Sequence, residues 1–202
     1  MKVAVLGASG RAGSEITREL AARGHAVTAI ARKPEAIPAA NSVTPVAGDA
    51  SDAAALAELI KGSDAVISAL HFDVPAETIL TALKTAGVPR LLVTGGAASL
   101  EVAPGVRLID TPEFPEAWKA FAQGGIVFLD ALRHETEIDW TFFSPAAVIE
   151  ETPRLGHFRT GTDQLVVDDK GESRIGFSDY AVAMVDELEN PQHSRARFTA
   201  AY

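Results

Sequence analysis

The stretch Val3 to Gly13, VAVLGASGRAG, constrains this chain more than any other. A short apolar run passes straight into Gly7, Gly10 and Gly13, and then into a helical pattern. A buried strand, a tight turn and a helix N-terminus, in that order, are the parts of a dinucleotide-phosphate cradle. Gly7 allows a sharp turn off the strand at positive φ. Gly10 lacks the Cβ that would hold a pyrophosphate away from the backbone, and Gly13 lets the helix lie close to the strand. The free amides of the first helical turn and the helix dipole then face an anion. The expected phosphate loop is therefore Gly7, Ala8, Ser9, Gly10, Arg11, Ala12 and Gly13. A tight turn with no ligand is the plain alternative.

Beyond this loop the chain repeats the strand-then-helix rhythm. Strand-like runs are expected at Val3–Leu6, Ala26–Ala31, Val43–Ala47, Asp64–Leu70, Arg90–Val93 and Trp140–Phe143. Between them, helical patterns are expected at Ser14–Arg23, at Asp52–Lys61 with Ser51 as cap, and at Pro75–Ala86. A further helical stretch, Pro115 to Thr136, contains Gly124-Gly125 and reads as interrupted there. This alternation predicts an α/β fold: a doubly wound parallel Rossmann sheet with strand order 3-2-1-4-5-6 and its ligand crevice at the carboxyl ends of strands 1 and 4. Near the end, Gln164–Val167 and Ser173–Phe177 flank Asp168-Asp169-Lys170-Gly171, a hairpin signal. A helix from Asp179 and a final strand at Arg195–Ala200 complete the pattern. The expectation is one NAD(P)-binding domain over 1–202, with residues 150–202 forming a small hairpin/helix lid on the substrate side.

Composition narrows the function. The chain has 202 residues, of which 47% are hydrophobic and 22% charged, as in ordinary globular domains. It contains no cysteine, which excludes disulfides, thiolate catalysis and thiolate-bound zinc. His134, Glu135 and His157 lack metal-ligand spacing, so no metal is expected. The net charge of −9 argues against nucleic acid and against anionic membranes as partners. With no basic-then-apolar leader before Val3, the expected setting is cytoplasmic. A monomer or a homodimer fits equally well.

Cofactor choice is read at the strand ends. Strand 2 ends in Arg32-Lys33, where a site for NAD carries an acid on the ribose. Two cations suit a 2′-phosphate instead, so NADPH is favoured over NADH. Asp49, after strand 3, is placed to flank the adenine or to cap a turn. Ser68, Ala69 and Leu70 after strand 4, and Thr94, Gly95 and Gly96 after strand 5, are small enough to floor the nicotinamide half. His71 is a candidate to contact the nicotinamide ribose or a substrate or to donate a proton, a polar surface residue being the plain alternative, and Ser99 is a candidate hydrogen-bond donor to an acceptor. Phe114 and Trp118, four apart in a Pro-rich stretch, either offer an aromatic surface to a flat acceptor or pin the segment to the core.

GASGRAG, VISAL, LLVTGGAASLEVAPG, DTPEFPEAWK, DWTFFSPA and SDYAVAMVDELE together resemble the NADH-flavin reductase group of atypical short-chain dehydrogenases. That group is related to NmrA-like proteins and to biliverdin reductase B. The resemblance spans nearly the whole chain and implies an NAD(P)H-binding oxidoreductase whose acceptor is a flavin (FMN or FAD) or a quinone. It also implies that Ser144 and Pro145 line the substrate pocket. The Tyr-x-x-x-Lys relay of the wider superfamily is missing: the tyrosines are Tyr180 and Tyr202, and Met184 stands where Tyr180 would need its lysine. Carbonyl reduction by that route is therefore not expected. Hydride transfer to a conjugated ring asks mainly for positioning. A non-catalytic NADP(H) sensor of NmrA type, acting through a protein partner, is the alternative.

Overall fold

The computed structural model describes residues 1–202. In chain order the strands are β1 (Lys2–Leu6), β2 (Ala26–Ala31), β3 (Val43–Ala47), β4 (Ala65–Ser68), β5 (Arg90–Thr94), β6 (Glu101–Ala103), β7 (Val106–Arg107), β8 (Asp139–Ser144), β9 (Val148–Glu150), β10 (Arg159–Gly161), β11 (Arg174–Gly176) and β12 (Ala196–Ala201). The helices are α1 (Arg11–Ala22), α2 (Ala53–Ile60), α3 (Ala76–Ala86), α4 (Glu116–Arg133) and α5 (Phe177–Glu189).

Eight strands form one sheet, ordered β10-β12-β8-β5-β4-β1-β2-β3. The expected Rossmann order is present, with Asp139–Ser144 as its sixth strand. All pairings in this sheet are parallel except β10 with β12. Alternation inside each apolar run explains the layering, because successive side chains leave a strand on opposite faces. In β1, Val3 and Val5 join the core under α1 and α5, while Ala4 and Leu6 join the core under α2, α3 and α4. Burial on both faces is why these strands read as continuous hydrophobic runs. No helix is long and apolar enough to cross a membrane.

Several local expectations are corrected. Helix α1 begins at Arg11, three residues before the expected Ser14, because extended Gly10 takes the cap position inside the loop. The cap of α2 is Asp52 and not Ser51; its carboxylate accepts from the Ala54 and Ala55 amides at 2.9 and 3.1 Å. Helix α4 runs unbroken through Gly124-Gly125. Those glycines exist for packing: a Cβ on Gly125 would come within 2.8 Å of Phe72 Cε2, and one on Gly124 within 3.1 Å of Phe72 Cβ.

The expected hairpin across Asp168–Gly171 does not form. Arg174–Gly176 pairs parallel with Val148–Glu150, and the Asp168 segment closes only a local turn, with the Asp168 amide donating to Glu172 O. A period-two pattern shows that a strand is possible but not which strand it meets. The end of the chain is built into the sheet: β12 lies beside β8, and α5 packs against α1. Buried Asp179 on α5 accepts from the Leu155 and Gly156 amides and from the Tyr202 hydroxyl at 2.8–2.9 Å, tying three segments together.

Candidate active site

The glycine loop is the centre of the site. Gly7 sits at φ +75°, and a Cβ there would lie 2.6 Å from Ala69 O. The β1 turn is thus pressed against the end of β4. A Cβ on Gly13 would lie 2.1 Å from Gly7 O, so α1 rests directly on the turn. Gly10 differs: the nearest atom to its Cβ position is Gly7 O at 3.3 Å, and nothing else lies within 4 Å. Its outer side is open.

The amide inventory refines the expected loop. Gly7 and Ala8 both donate to Ile30 O, at 2.9 and 3.2 Å, and Gly10 donates to Gly7 O at 3.0 Å. Those amides join β1 to β2 and close the turn, so the expected contribution of Gly7 and Ala8 to an anion is corrected to a structural one; Ala8 is fully buried. The amides of Ser9, Arg11, Ala12 and Gly13 make no hydrogen bond within the chain. Four free donors at a helix N-terminus, with an open glycine beside them, form an anion cradle that a Cβ would fill.

Arg11 extends from this cradle with its guanidinium carbon 5.2 Å from the centroid of Phe177, a cation–π contact. Arg32 and Lys33 lie just past β2, exposed and without an ion pair among the chain's salt bridges. Asp49 is exposed after β3. The Ser51 amide and hydroxyl, together with nearby Arg32, hold its carboxyl below the ordinary aspartate range. Arg32 and an ionised carboxylate therefore face one another beyond the β2 and β3 ends, with Lys33 next in the chain.

At the other half of the crevice, Ser68 is buried, Ala69 and Leu70 are half-buried, and the Ala69 amide donates to Leu6 O at 2.9 Å. Thr94, Gly95 and Gly96 are half-buried at the end of β5. The reason for glycine at 95 differs from the expected one. Its Cβ would strike the Phe142 ring at 2.3 Å, so it makes room for the core beneath and not for a ligand above. His71 is exposed, edge-on to Phe121 at 5.5 Å between ring centroids.

Ser99 is held from a distant part of the chain. Its hydroxyl accepts from Arg197 Nη1 at 2.8 Å, and Arg197 also binds Asp163. It lines a polar cavity of about 610 Å³ with Glu101, Arg133 and Arg197, and His71 is not in that lining. Ser144 is a correction: it is fully buried and its hydroxyl has no partner, so it does not face a pocket. Pro145 beside it is half-buried. The two aromatics of the Pro-rich stretch divide. Phe114 packs on Ala98, Ile109 and Ile126, while Trp118 is 66% exposed. Lys119 is paired with Glu116 at 2.7 Å. Phe72 and Phe121 belong to no motif in the sequence; the helical spacing of Phe121 from Trp118 is the one local signal for them.

Tyr180 is no proton donor. It is buried, its hydroxyl donates to Phe143 O at 2.7 Å, and burial pushes the phenol well above its ordinary value. The Tyr–Lys relay is absent in space as it is in sequence.

The parallel sheet, the glycine-lined turn and the free amides define a Rossmann dinucleotide-binding fold. The chain matches the model of the NAD(P)H-binding family over residues 7–191 and belongs to that family. It is 41% identical to the Bacillus subtilis protein YwnB over 98% of this chain and 97% of that one. Among solved structures it is similar to a candidate epimerase from Bacteroides thetaiotaomicron: TM-score 0.94, 43% identity, covering 100% of this chain and 96% of the other. It is also similar to a candidate NADH-flavin reductase from Streptococcus pneumoniae: TM-score 0.88, 34% identity, covering 100% and 99%.

Proposed function

We propose that this protein is an NADPH-dependent oxidoreductase whose acceptor is a flat conjugated molecule, a flavin or a quinone. The observation that carries the reading is the set of four unbonded amides, Ser9, Arg11, Ala12 and Gly13, beside the open face of Gly10. These donors take the pyrophosphate. Arg32 and Lys33 take the 2′-phosphate, Arg32 through paired N–H donors and Lys33 as a point charge. Asp49 accepts from the adenine side of the cofactor. Ala69, Leu70, Thr94 and Gly96 floor the nicotinamide end, and Pro145 closes it.

When bound, NADPH supplies a hydride and leaves as NADP⁺; a solvent proton completes the two-electron reduction of the acceptor. The chain's part is positioning and exclusion of water, worth more here than proton transfer because a conjugated acceptor spreads the charge it receives. His71, exposed in the chain just past Leu70, would pass that proton. The reading accords with the family and with the name carried by the pneumococcal relative.

The test is NADPH oxidation, measured by the loss of its near-ultraviolet absorbance, with FMN, riboflavin and menadione in turn. Turnover well above the enzyme-free rate with at least one acceptor is expected. Tight NADPH binding with no turnover on any acceptor overturns the reductase reading in favour of a redox sensor that signals to a protein partner.

A further inference from the structure

We infer that Phe121, with Trp118 one turn before it, is the wall on which the acceptor stacks and is the residue pair that selects planar acceptors; the inference rests on the reductase reading above. Several other aromatic rings in this chain find parallel neighbours and are buried. Phe143 lies between Tyr180 and Phe198, with centroids at 4.0 and 4.1 Å and planes within 8° and 9°. Phe121 does neither. It is 52% exposed, and its two ring contacts are steep: His71 at 72° and Phe72 at 45°. No ring lies parallel to it. Trp118, three residues earlier on α4, has no aromatic partner at all and is 66% exposed.

Exposing two large rings forgoes the stabilisation that their burial would supply. Phe121 is nonetheless held in place. Phe72 packs among Phe121, Phe128 and Phe142, with centroid distances of 5.6–6.3 Å. Gly124 and Gly125 are the glycines that let α4 close over Phe72. Each of them weakens the helix relative to alanine, because glycine loses more backbone freedom on folding. What the helix gains in exchange is a rigid aromatic edge.

That edge stands at the right place. Gly7 abuts Ala69 and Leu70, which run directly into His71, and the Cβ position of Gly96 is 3.7 Å from Phe72 Cε2. The phosphate turn, the β5 end and the Phe121 ring are therefore joined through the two residues His71 and Phe72. A planar acceptor entering from solvent would find an unoccupied ring face there, and offset stacking favours flat conjugated molecules over saturated ones. The ring pair acts by binding the acceptor. It takes no part in bond making.

The experiment uses the full chain saturated with NADP⁺ and measures FMN binding by quenching of flavin fluorescence, beside steady-state kinetics with menadione. Expected for Phe121→Ala is a roughly tenfold weaker FMN affinity and a similar rise in the menadione KM, with kcat and NADPH affinity nearly unchanged. Phe121→Trp should restore both and Phe121→Leu should not. Should Phe121→Ala fail to fold, Phe121→Leu and Trp118→Ala carry the comparison. If the wild type binds FMN and Phe121→Ala binds it equally well, this inference falls and the reductase reading stands. If NADPH binds but neither FMN nor menadione does, both fall together. A shift from dimer to monomer in sedimentation for Phe121→Ala, with acceptor binding intact, would also overturn it and assign the ring to an interface between copies.

Discussion

Gly13 rests on the carbonyl of Gly7, so closely that a Cβ on Gly13 would lie 2.1 Å from that oxygen. Neither atom can retreat: Gly7 is pinned from the other side by Ala69 O, and its amide is bonded to Ile30 O. Gly13→Ala is expected to destabilise the fold by roughly 1–3 kcal/mol, as overpacking does. It should also displace the α1 amides and abolish NADPH binding. Thermal melts and a fluorescence titration with NADPH check both.

Arg32 has no salt-bridge partner, and its charge acts on nearby Asp49. Arg32→Glu should weaken NADPH binding by at least about tenfold and leave NADH within a fewfold, since only NADPH carries the extra phosphate. The difference should shrink as salt is raised, because exposed charges are screened. Titration of both cofactors at low and high ionic strength decides it, and an unchanged preference counts against the NADPH assignment.

Tyr180→Phe removes a hydroxyl that donates to Phe143 O in the core. A loss of about 1 kcal/mol in stability is expected, the Phe143 oxygen keeping its bond from the Gly95 amide at 2.8 Å. Turnover and its pH profile should not change, because this phenol is neither accessible nor able to ionise near neutrality. A large fall in kcat would restore a catalytic tyrosine to the mechanism.

Asp179 titrates below the ordinary carboxylate range. Burial pushes it up, but the Leu155 amide, the Tyr202 hydroxyl and the Gly156 amide outweigh that. A depressed folded value means the stabilisation is complete above the unfolded value, about 4, and is lost as pH falls through the folded one. Melting temperature should therefore drop below about pH 4. Asp179→Asn should cost roughly 1.5–3 kcal/mol at neutral pH and converge on the wild type in acid.

Gly125→Ala is a contest of two effects. Helix propensity favours alanine by about 1 kcal/mol, but its Cβ would meet the Phe72 ring at 2.8 Å. Phe72 is held by three other rings, so the clash should win. A lower melting temperature, with altered FMN binding through displaced Phe121, is the expected outcome.

The alternation of apolar runs with helical patterns, and three glycines after the first of those runs, were enough to read the strand order and the glycine turn. Both rest on local rules: two-faced burial makes a continuous apolar strand, and a turn at positive φ demands glycine. What the sequence could not show was which amides remain free, because that depends on Ile30, a residue of a neighbouring strand. Nor could it show that Ser99 is held by Arg197, nearly a hundred residues further on.

Gly95, Gly124 and Gly125 read as space for a ligand or a break in a helix, and are neither. They are shaped by Phe142 and Phe72, which approach only when sheet and helix close. By itself, then, the sequence determined the architecture and the glycine turn, since these depend on periodicity and on the conformations open to single residues. The tertiary structure alone decided which polar groups are already spent and which rings are left bare. Those depend on partners distant along the chain, and no local pattern records them.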